Sequence, residues 1–163
     1  MVQRRIRLTR EEKLAESRQF AANQILQFYR EKGARCLAVT TSTRLQSEKE
    51  HVFLDLGERL ESQGIRLIQF TDGKESLALS VPGVEQIADL EELKQLLTAN
   101  AQTRYLLDVP PLSLFANAVE AARLTDGVVF IEKYGSTKHD VFERCLALLE
   151  QEAVQVCGVV TYR

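Results

Sequence analysis

Along this chain, short unbroken apolar runs alternate with stretches whose apolar residues recur every three or four positions. The first pattern suits a strand buried on both faces, the second a helix with one buried stripe. Thr9 and Glu12 have capping-box spacing, which predicts a helix from Arg10 to about Glu31. Leu14, Phe20, Ile25, Leu26 and Tyr29 are its expected core residues, and Gly33 ends it. A buried strand is expected over Ala34–Thr40. A helix follows from Ser47 to Gln63, with Val52, Phe53, Leu56 and Leu60 at helical spacing and Gly64 as its stop. Ile65–Phe70 is the next strand, and Leu77–Ser80 is a weaker one ended by Pro82-Gly83. Asp89 caps a helix through Leu97. Arg104–Asp108 is a strand halted by Pro110-Pro111. Ser113–Leu124 is an alanine-rich helix, Gly127–Glu132 a strand, Lys138–Gln151 a helix and Val154–Thr161 the last strand.

Strands that are continuously apolar need helices on both faces, and right-handed crossovers then wind the sheet in two directions. The expected fold is α/β: a doubly wound, mostly parallel sheet of about six strands, in one domain over residues 1–163. Such sheets bind ligands beyond the carboxyl ends of their strands. The segments to inspect are therefore Thr40–Lys49, Thr71–Lys74, Asp108–Pro111 and Lys133–Thr137.

Composition narrows the function classes. A net charge of −2 gives no field toward nucleic acid or anionic lipid. The arm Arg4-Arg5-Ile6-Arg7 could touch either, but a run this short is ordinarily just solvated. No nucleic-acid partner is expected. No apolar run approaches the ~18 residues of a membrane span, and Met1–Arg5 lacks the apolar core of a signal peptide. Cys36, Cys145 and Cys157 sit in apolar segments and read as buried free thiols. His51 and His139 lack metal-ligand spacing, so no metal site is expected.

The loop after the first strand reads Thr40-Thr41-Ser42-Thr43-Arg44-Leu45-Gln46-Ser47-Glu48-Lys49-Glu50. A phosphate-binding loop at this place needs glycines, so that backbone N–H groups can wrap the phosphates. It also needs a Lys for the terminal phosphates and a hydroxyl for magnesium. Position and length fit, and Lys49 stands where that lysine should. Yet no glycine is present, Glu48 precedes the lysine and Glu50 replaces the hydroxyl. Carboxylates on both sides would repel a polyphosphate and occupy the lysine. On spacing alone the plain reading is a solvated turn.

Tyr105-Leu106-Leu107-Asp108-Val109-Pro110-Pro111 resembles the strand and turn YVIIDTPP of the bacterial tyrosine kinases of capsule and exopolysaccharide synthesis. Those kinases group with the division-site and partition ATPases of the P-loop class. Ala122-Arg123-Leu124-Thr125-Asp126-Gly127-Val128-Val129 is similar to that family's ARLADGVL. Lys133–Thr137 resembles its Gly-x-Thr turn, and Cys157–Val160 its final strand. Arg18 and Asn23 match positions of its N-terminal helix. The resemblance runs from about residue 15 to 161. It implies a three-layer P-loop fold in which Ser42, Thr43, Lys49, Asp108 and Asn117 are vestigial nucleotide-site positions. Arg18 and Asn23 would be subunit contacts.

The departures from the family pattern imply loss of activity. The glycines are gone, the second acidic turn is reduced to Thr71-Asp72-Gly73, and Val109 stands for the Thr after the Walker B aspartate. Asn117 stands for an Asp, Thr161 for an Asn, and Ala15 and Ala21 for two charged contact residues. The resemblance thus implies a catalytically inactive kinase-like protein, with no catalytic residue and no cofactor. Its partner would be a polysaccharide co-polymerase or another exopolysaccharide-system protein, or further copies of itself or a relative. Its location would be cytoplasmic, at the inner face of the membrane. Two alternatives stay open. One is an active NTPase or kinase using Lys49 and Asp108. The other is a domain binding a different small ligand through Thr40, Thr41, Ser42 and Arg44. Asp108 also has a purely structural reading, as a carboxylate capping N–H groups of the turn that follows it.

Overall fold

The computed structural model describes residues 7–42, 46–74, 84–135 and 138–163, with backbone alone for 46–48. The first helix, α1 (Arg10–Glu31), starts at the capping box: Thr9 Oγ1 accepts from Glu12 N–H and Glu12 accepts from Thr9 N–H. Glu11 and Glu12 face its positive end and Arg30 its negative end. Gly33, at φ +64°, then turns the chain into the sheet with a conformation few side chains tolerate.

The strands are β1 (Cys36–Thr40), β2 (Ile65–Phe70), β3 (Glu85–Ile87), β4 (Arg104–Asp108), β5 (Gly127–Lys133) and β6 (Val156–Tyr162). The remaining helices are α2 (Gln46–Glu61), α3 (Leu90–Ala99), α4 (Ala116–Arg123) and α5 (His139–Gln151). All six strands are parallel, in the order β3-β2-β4-β1-β5-β6. The doubly wound sheet expected from the apolar runs is therefore present. Strand alternation divides the core. Leu37, Val39, Leu106, Val129 and Ile131 point to α1 and α2. Cys36, Ala38, Tyr105, Leu107, Val128 and Phe130 point to α3, α4 and α5. Ala118, Ala121 and Ala122 are fully buried, so α4 lies close against the sheet. Tyr29 on α1 donates its hydroxyl to Tyr105 O across 2.6 Å, fixing that helix over the centre of the sheet.

Three expectations need correction. Leu14 and Phe20 are 53% and 67% exposed rather than core. The stripe that packs is Arg18, Ala22, Ile25, Leu26 and Tyr29; Phe20 lies off it, and Leu14 lies a turn before its first covered position. A strand absent from the sequence reading, β3, forms at the sheet edge beside Phe70, from mostly polar residues. The expected strand Leu77–Ser80 falls outside the described residues. The alanine-rich helix begins at Ala116, not Ser113, because Pro111 to Phe115 are occupied by a turn. No described helix is long and apolar enough to cross a membrane.

Candidate functional site

Strand order reverses between β1 and β4: one winding leaves from β1 toward β2, the other from β4 toward β5. The crevice at such a switch point is where this architecture places ligands. Here it is bounded by Thr40, at the end of β1, and Asp108, at the end of β4, whose strands pair in register.

Lys49 comes from the first turns of α2 and reaches into this crevice. Its Nζ lies 2.7 Å from Asp108 Oδ1 and donates to Val109 O at 3.0 Å. The side chains are 1% and 3% exposed. The other carboxylate oxygen, Asp108 Oδ2, accepts from Gln69 Nε2 at 2.9 Å, from the neighbouring strand β2. Lysine and aspartate thus neutralise each other out of contact with water. The expectation that flanking glutamates occupy Lys49 is corrected: its partner is the strand-end aspartate. Asp108 is engaged structurally too, but by Lys49 and Gln69 rather than by turn N–H groups. Glu50 is half-buried beside this pair. Burial raises its carboxyl pKa, the charge of Asp108 adds to that, and Lys49 opposes it.

The sequence reading missed Glu132, the acidic residue inside the apolar run Gly127–Lys133. It is buried, and its Oε1 accepts from Ser42 N–H at 2.7 Å. A carboxylate of the protein itself therefore occupies a backbone donor at the start of the loop. The only available signal was a charged residue at the carboxyl end of an otherwise apolar strand. Thr40 Oγ1 donates to Pro110 O at 3.0 Å, and Ser113 Oγ donates to Ser42 O at 3.2 Å. These bonds stitch the β1 loop onto the turn after β4. Among the described residues, buried Ser42 Oγ has no hydrogen-bond partner. Thr43 and Arg44 lie outside the described residues, as do Ser136 and Thr137.

The remaining candidates lie elsewhere. Asn117 donates to Asp72 Oδ1 at 2.9 Å, joining α4 to the turn after β2. Lys74 in that turn sits 4.3 Å over the Phe115 ring. Arg18 is turned inward, 3.4 Å from Asp55 on α2. Burial lowers its pKa, and Asp55 opposes that shift. Asn23 is exposed and accepts from Gln19 within α1. Among the described residues, no group of His, Cys, Asp and Glu could hold a metal ion. The three cysteines are free; burial raises each thiol, Cys157 to about 11, so none is a thiolate at neutral pH.

These residues do not fit a magnesium nucleotide. The loop lacks glycine, a hydroxyl does not follow Lys49, the lysine is neutralised by Asp108, and Glu132 holds Ser42 N–H. No protein-family model matches the chain, and no curated protein matches it. Solved structures do match in fold. The BceF tyrosine kinase domain superposes with a TM-score of 0.71 at 14% identity, over 90% of this chain and 76% of that one. The kinase domain of the Escherichia coli tyrosine kinase ETK gives 0.67 at 18% identity, over 88% and 73%. The VpsO kinase domain also gives 0.67 at 18%, over 94% and 98%. The chain has the fold of bacterial tyrosine kinase domains.

Proposed function

We propose that this domain keeps the kinase-like frame without nucleotide chemistry and acts as an interaction or regulatory component of exopolysaccharide or capsule synthesis and export. The observation that carries this reading is the buried pair of Lys49 and Asp108. In a working site of this kind the lysine meets phosphate and the aspartate stands ready for a metal. Here each is the other's counter-ion, and Glu132 adds a buried carboxylate at the start of the loop. Losing two or three charge-assisted hydrogen bonds weakens binding by roughly 3–9 kcal/mol, at least about 150-fold, which takes a micromolar site beyond about 100 μM. The pathway, a polysaccharide co-polymerase as partner and a place at the inner face of the membrane rest on the family resemblance; the fold neighbours support the tyrosine kinase frame alone.

Calorimetry with ATP and magnesium tests the site. The expected outcome is no saturable binding tighter than about 100 μM. Saturation tighter than about 100 μM would restore the alternative, an ATP-binding NTPase or kinase built on Lys49 and Asp108. A pull-down with the cytoplasmic segments of a polysaccharide co-polymerase tests the partner separately, because its failure leaves the nucleotide result untouched.

A further inference from the structure

We draw no further inference here: the strongest candidate, the groove of about 250 Å³ between α1 and the edge strand β6, lined by Phe20, Ala21, Ile25, Cys157 and Gly158, is an open apolar face, and nothing in the structure shows what covers it.

Discussion

The crevice at the switch point and the β6 edge stand in opposite states. In the crevice, Lys49 faces Asp108, Gln69 completes the aspartate, and Glu132 meets Ser42 N–H, all out of water. At β6, Val159 is exposed, and among the described residues the strand pairs only with β5. A ligand in the crevice would have to break interactions already made, whereas a strand at the edge would only add them. On this contrast, the carboxyl ends of the strands are closed by the chain's own residues, while the side of the sheet is left open.

The largest test breaks the crevice. Lys49→Ala leaves Asp108 as an unpaired buried carboxylate, and Asp108→Ala leaves the ammonium in the same position. Each should lower unfolding free energy by about 3–5 kcal/mol, measured by urea denaturation. That exceeds the roughly 1–2 kcal/mol that a simple turn cap would be worth. The pair Lys49→Met with Asp108→Leu should recover most of the loss, because an apolar replacement needs no counter-ion. If the single changes are nearly neutral, water reaches the pair and the crevice is open to ligands after all.

A smaller loss is expected at Glu132. Glu132→Ala strips Ser42 N–H of its acceptor in a buried setting and should cost about 1–3 kcal/mol. Glu132→Gln keeps an acceptor and should cost less. Equal losses would mean that the charge, not the hydrogen bond, holds the loop.

Glu50 sharpens the contrast through pH. Its folded pKa lies above the ordinary 4.5, through burial first and Asp108 second. Between that value and its raised one, the folded state holds more protons than the unfolded state. Stability attributable to Glu50 therefore falls as pH rises through the window. Glu50→Gln should raise the melting temperature slightly at pH 7, with the gain vanishing below about pH 4. A gain that persists in acid would point to a cause other than ionisation.

The smallest effect belongs to the edge. In dilute solution Val159→Lys should change monomer stability by no more than about 0.5 kcal/mol, since the residue is exposed and packs little. A larger loss would show that β6 is part of the core rather than a free surface.

The frame was legible because burial on both faces writes itself as unbroken apolar runs. Cys36–Val39 and the Val128–Ile131 run within Gly127–Lys133 carry that signature, and both belong to central strands. The capping box of Thr9 and Glu12 likewise marked the helix start to the residue. What failed were features whose meaning depends on distant parts of the chain. Phe20 has the chemistry of a core residue, and only the direction of α1 over the sheet decides that it is not. Glu85 and Gln86 have no strand signal; they are held by pairing to Ile68 and Gln69. In the crevice, Lys49 and Asp108 were both identified, but not as each other's partner, because local spacing favoured the neighbouring glutamates. Glu132 was passed over because it is embedded in a run that reads as pure core.

The strand order also shapes how the chain is made. β1 is flanked by β4 and β5, and β2 by β3 and β4, so the two strands that emerge first from the ribosome never pair with each other. β1 must wait for Arg104–Asp108, roughly 70 residues later, before either of its edges is covered. At a synthesis rate of ~5–20 residues per second, that interval is about 3–14 s. Throughout it, Cys-Leu-Ala-Val-Thr is an apolar, uncharged strand with both edges open, and any chaperone that attends this protein has its reason to bind there first.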